Sequence, residues 1–134
     1  MIKGRTDYKR NNKIGLRNFK EASDLHDCVK TQLVRMLRRK HKDNHAVPIY
    51  TEHNPERPNE DYPDIWMRVK KDIIVYEIQH KITKNWTKQI LEKYEDVDLI
   101  IVPLKEVLVN WRSIINKYEN PIDSLREVLE VYVV

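Results

Sequence analysis

Two segments rich in Ile, Val, Trp and Tyr, Asp64 to Val69 and Asp72 to His80, are separated by only Lys70 and Lys71. Such residues suit a pleated, half-buried surface, so both segments read as strands. A parallel pair would need a crossover of about a dozen residues, so a two-residue gap admits only an antiparallel hairpin. Two lysines are poor residues for a tight primed turn, and a slightly longer loop centred on them fits equally. With the turn centred there, Asp64 stands opposite Glu77. Alternation then puts Asp64, Trp66 and Arg68 on one face with Ile73, Val75, Glu77 and Gln79.

The rest of the chain arranges itself around this hairpin. Residues 1–17 are polar and basic, hold both glycines, and read as a flexible basic arm; residues 18–134 read as one domain. Asn18 starts a helix with Glu21 as its capping-box partner. Leu25, Val29, Leu33, Met36 and Leu37 form its buried stripe, which ends near His41. Residues 46–51 predict a short strand, edge or irregular because of Pro48. Pro55, Pro58 and Pro63 make residues 52–63 a loop. A helix is expected over 84–95, with Trp86, Ile90, Leu91 and Tyr94 inward. Val97 to Val102 is nearly all apolar, the pattern of a central strand covered on both faces. A helix from about Leu104 to Tyr118 follows, Asn120-Pro121 starts a last helix, and Val131 to Val134 predicts a short terminal strand. The order αβββαβα is that of one α/β domain.

Composition removes whole classes of function. The chain has 134 residues, enough for a single modest core. Its longest apolar runs, such as Leu99 to Val102, are far too short to span a membrane, and no apolar segment follows the N-terminal charges, so a secretory signal is not expected. The lone cysteine, Cys28, excludes a disulfide framework or a Cys-rich zinc module and fits a reducing cytoplasm, the host's if the source is viral. With Gly4 and Gly15 as the only glycines, no phosphate-cradling loop can be built, so no nucleotide cofactor is expected. Residues 1–45 carry 13 Lys and Arg against 5 Asp and Glu, while the remainder is mildly acidic. That imbalance suits a polyanionic partner, though a solvated basic tail and helix face would give it too.

The hairpin register brings two acids together. Directly opposed carboxylates repel, and a divalent cation offsets this, because Mg²⁺ favours one or two carboxylates with water and phosphate oxygens. Glu77 also interrupts Ile73-Ile74-Val75-Tyr76-Glu77-Ile78, where an unpaired carboxylate is costly. The same spacing fits an edge hairpin whose wet face carries Asp64, Glu77 and Gln79 as ordinary surface residues.

Tyr62-Pro63-Asp64, then twelve residues, then Glu77-Ile78-Gln79 resembles the signature of the PD-(D/E)xK nuclease superfamily, which includes restriction endonucleases and archaeal Holliday junction resolvases. The resemblance spans about residues 18 to 102. It implies a restriction-endonuclease-like αβββαβ core, with a central mixed sheet flanked by helices and C-terminal helices added. It implies a Mg²⁺- or Mn²⁺-dependent DNA endonuclease, structure-specific or resolvase-like before sequence-specific, and a homodimer. Asp64 and Glu77 would be the acidic metal ligands, the Ile78 carbonyl a further one, and Glu21 on the first helix an additional acid, with Glu52 its rival. Gln79 stands where the family usually has Lys, so Lys81, or Lys88 on the next helix, would supply the missing positive charge. Lys30, Arg35, Arg38 and Lys42, with the arm, would bind the DNA backbone. The Gln79 departure also allows a catalytically inactive nuclease-fold protein that binds DNA or serves assembly.

Other residues read as structural. His41 and His45 have a zinc-compatible spacing but no Cys partner, so they are expected at the surface. His80 is expected on the strand face opposite Gln79, packed within the fold. Cys28 reads as buried, Trp66 as packed under the first helix, Tyr94 as part of the core stripe, and Gln89 as structural.

Overall fold

The computed structural model describes residues 22–44 and 47–134. The arm over 1–17, the helix start at Asn18, and Glu21, His45 and Ala46 lie outside the described residues. Helix α1 (Ala22–Lys40) buries Leu25, Cys28, Val29, Leu33, Met36 and Leu37, the stripe its periodicity predicts. Strands β1 (Ile49–Thr51), β2 (Ile65–Val69) and β3 (Asp72–Gln79) form an antiparallel meander. Helix α2 (Lys84–Lys93) then crosses over to β4 (Asp98–Pro103), which lies parallel to β3. Helix α3 (Leu104–Ile114), a 3-10 turn, and helix α4 (Pro121–Leu129) close the chain. The result is a single α/β domain with a four-stranded mixed sheet, order β1-β2-β3-β4, flanked by helices.

The hairpin register follows from its short connection. Ile65 pairs with Tyr76 and Val69 with Asp72, so the turn consists of Lys70 and Lys71 alone. Lys70 takes a φ of 58°, a left-handed conformation that disfavours a side chain with a Cβ.

The two sheet faces are covered unequally. Ile65, Met67, Ile74, Tyr76, Ile78 and Val102 join α1, α3 and α4 in the main core. Trp66 and Val75 face the other way and meet Ile90 and Tyr94 of α2, with Trp86, Val97, Leu99 and Ile101 packed around them. Trp66 is therefore not under the first helix as expected; α1 covers the opposite face.

Leu91, expected inward on α2, is exposed, and two further expectations also need correction. The apolar run in β4 marks coverage on both faces, but among the described residues the strand sits at the sheet edge, because the α2 crossover sets it beside β3 with no described strand beyond. Residues 131–134 form no strand. Glu130–Tyr132 is a 3-10 turn, the Tyr76 hydroxyl donates to the Tyr132 carbonyl, and His41 Nε2 lies 2.8 Å from the Val134 carbonyl oxygen. Side chains from β3 and α1 thus anchor the tail, and Val131 is left 79 % exposed.

Candidate functional site

Asp64 stands one residue before β2, and the pair Ile65 and Tyr76, extended by one step, sets it opposite Glu77 as the spacing predicts. β3 lies inside the sheet, between β2 and β4, so Glu77 is not on the wet face of an edge hairpin. Its carboxyl group is half-buried, and its pKa is pushed up to about 7, first by burial and then by the charge of Asp64. Together the two acids line an open cavity of about 460 Å³ with Ile78, Gln79, His80, Lys81, Leu104, His26 and Asp27.

The loop end fixes Asp64 tightly. Its Oδ2 accepts the Ile78 N–H at 2.7 Å, and its Oδ1 lies 2.9 Å from His26 Nε2. An extended residue turns its N–H and C=O toward the same neighbour, so the Ile78 carbonyl is directed to the end of β2 where Asp64 sits. The hydrogen bond to Asp64 raises the His26 pKa despite opposition from burial. His26 is the residue that sequence reasoning missed. It borders Leu25 at the margin of the helix stripe, and a search limited to acids on that helix passes over it.

Gln79 is half-buried and donates from Nε2 to the Lys81 carbonyl oxygen at 3.1 Å. Lys81 is exposed and lines the cavity. His80 also lines it and is exposed, contrary to expectation. β3 ends at Gln79, so strand alternation no longer holds residue 80 to the far face. Lys88 lies outside the cavity, in a neighbouring groove with Ile82, Thr83, Lys84, Thr87 and Leu91.

The remaining candidates separate from the site. Glu52 is held by Lys30 Nζ at 2.9 Å and does not line the cavity. That ion pair also engages Lys30, whose side chain is 16 % exposed. Arg35, Arg38 and Lys42 are exposed further along α1 and beyond its end. Cys28 is buried, and burial pushes its thiol up to about 12, as a structural role requires.

Tyr94 packs in the core as predicted, but its hydroxyl has polar work. It donates to Asp61 Oδ1 at 2.7 Å and lies near enough to Glu77 to oppose the rise in that carboxyl's pKa. Asp61 also accepts from Lys93 Nζ at 2.8 Å and Asn54 Nδ2 at 2.9 Å. Burial works to raise the Asp61 pKa, but these three donors prevail and hold it below the usual carboxylate range.

Among the described residues, no group of three or more His, Cys, Asp or Glu side chains is gathered to hold a metal ion. A closed zinc cage is therefore not formed by them. Two carboxylates, a backbone carbonyl and an open side do fit Mg²⁺, which keeps several waters. No helix among the described residues is long and apolar enough to cross a membrane. No protein-family model, curated protein or solved structure matches the chain.

Proposed function

We propose that the chain is a Mg²⁺- or Mn²⁺-dependent DNA endonuclease of the PD-(D/E)xK type that hydrolyses phosphodiester bonds, with structure-specific or resolvase-like cutting favoured. The observation that carries this reading is the opposition of Asp64 and Glu77 at an open cavity, with Glu77 held at about 7 by burial and by its neighbour. Repulsion of that kind is relieved by a cation. The αβββαβ order of the chain supports the same reading.

Asp64, Glu77 and the Ile78 carbonyl would hold the ion, and Glu21 is proposed as a further acid. A divalent ion held there would supply Lewis-acid charge to the phosphate and make its bound water more acidic. Gln79 keeps its side-chain carbonyl free to accept from a water while its amide is tied to Lys81, which orients that water without adding charge. The Lys81 ammonium at the cavity rim supplies positive charge to the phosphate. Arg35, Arg38 and Lys42 of the α1 region, and Lys84 and Lys88 beside the cavity, would contact the DNA backbone. A homodimer would provide a second site for the second strand. A free, buried Cys28 suits a reducing cytoplasm.

Gln79 favours one second reading: an inactive DNA-binding or assembly protein that has lost the family's lysine. Incubation with duplex, flap, four-way and single-stranded DNA in Mg²⁺ and in Mn²⁺ separates the two. Cleavage that disappears in Asp64→Ala is expected. DNA binding without cleavage in either ion would leave the inactive protein, and binding of neither DNA nor ion would end both readings.

A further inference from the structure

Three donors converge on a buried carboxylate that the proposed chemistry does not use. Asp61 is 2 % exposed and lies near the end of the loop joining β1 to β2. Its Oδ2 accepts from Asn54 within that loop, and its Oδ1 accepts from Tyr94 and Lys93 at the C-terminal end of α2. An unpaired carboxylate at this depth would be costly, and the three donors remove that cost. A loop staple would need no more than this.

The connections beyond the staple lead to the site from two directions. Asp64 follows Asp61 by three residues, through Pro63, which is buried, has its φ fixed by its ring, and accepts the Glu52 N–H at 2.9 Å. That short, pinned segment transmits the position of Asp61 directly to Asp64. On the other side, the Tyr94 hydroxyl that donates to Asp61 lies near enough to Glu77 to oppose the rise in that carboxyl's pKa. A phenol has a single proton, and here Asp61 receives it while the Glu77 carboxyl lies nearby. Whatever moves Asp61 therefore moves the hydroxyl beside Glu77.

We infer that Asp61 is a positioning residue that acts through Tyr94 and through the Asp61–Asp64 segment to set the separation at which Glu77 and Asp64 face a divalent cation. The inference rests on the metal-site reading of that pair. Asp61 and Tyr94 would then behave as outer partners of metal ligands, whose loss commonly weakens metal affinity or activity about 10- to 100-fold.

The test is Mn²⁺ affinity by calorimetry on the full chain, alongside melting temperature in EDTA, for the parent, Asp61→Asn, Tyr94→Phe and Leu129→Ala. Tyr94→Phe keeps the packed ring and removes only the hydroxyl. Asp61→Asn keeps the shape but turns an acceptor into a donor facing donors. Leu129→Ala truncates a core residue of α4 and reports what instability alone does. All titrations are run well below each variant's melting temperature. Weaker Mn²⁺ binding by about 10- to 100-fold in Asp61→Asn and Tyr94→Phe, with parental affinity in Leu129→Ala, is the expected result. If Asp61→Asn does not fold, Tyr94→Phe decides. Parental affinity in both site variants, or equal loss in Leu129→Ala, overturns the positioning role and leaves the metal site standing. A parent that binds no Mn²⁺ overturns the metal site, and the positioning role with it.

Discussion

Replacing Glu77 by Gln should make the metal-free protein less sensitive to alkaline pH. In the folded chain the Glu77 pKa is raised from 4.5 to about 7, by burial first and by Asp64 second. Between those values the native state binds a proton that the unfolded chain has released. Stability from this group is fully present below 4.5 and is lost as pH rises through about 7. At 1.36 kcal/mol per unit the full shift corresponds to roughly 3 kcal/mol. The cavity side of Glu77 is open to water, and screening there reduces the expected effect to about 1–2 kcal/mol. His26 adds to the loss in the parent, because its pKa is raised by Asp64 and its protonated form is favoured in the fold.

Urea unfolding in EDTA, followed by tryptophan fluorescence, measures this directly, since Trp66 and Trp111 are both buried. At pH 8 Glu77→Gln should gain about 1–2 kcal/mol relative to the parent compared with the same difference at pH 5. The lower limit of pH 5 avoids protonation of Asp61, whose lowered pKa makes its stabilisation present above 3.8 and lost under more acid conditions. Saturating Mn²⁺ should then reverse the order. An ion that binds only the native state at 100 times its Kd adds about 2.7 kcal/mol to the parent, and Glu77→Gln should forgo most of that. Parallel pH profiles for parent and variant in EDTA would show that Glu77 carries no strained charge, and the argument for a cation would fail.

Lys70→Gly should raise stability by about 0.5–1 kcal/mol, read from the urea midpoint, because it removes the Cβ from a left-handed turn position at some entropic cost. Joint reversal of Arg35, Arg38 and Lys42 to Glu should weaken DNA binding for all sequences alike. It should also flatten the slope of log K against log salt by about 0.9 per lost phosphate contact, whereas Lys30→Gln should leave that slope unchanged because Glu52 already holds Lys30. Gln79→Lys should leave Mn²⁺ affinity intact while preserving or raising cleavage. An active parent killed by that substitution would mean that Gln79 itself is tuned to this site.

What was legible in the sequence and what was not divides along one physical line. The opposition of Asp64 and Glu77 is a local consequence of a two-residue connection and strand alternation, so spacing alone carries it. The buried stripe of α1 and the α2 crossover are likewise set by periodicity within one segment. His26 meeting Asp64, by contrast, depends on how α1 lies across the end of the sheet. The bonds from Tyr94 and Lys93 to Asp61 depend on where the β1–β2 loop meets the last turn of α2. No spacing within a single element encodes such meetings. The misplacement of Trp66 has the same origin: its face was correctly assigned, but which helix covers that face is a tertiary fact. Lys30 shows the functional side of this. On the helix it is one of several outward cations, and only the packed fold brings its Nζ to Glu52 and leaves its side chain 16 % exposed. Acids paired across a hairpin can therefore be found by counting residues, whereas the groups that hold those acids in place are supplied by distant segments and emerge only with the packed fold.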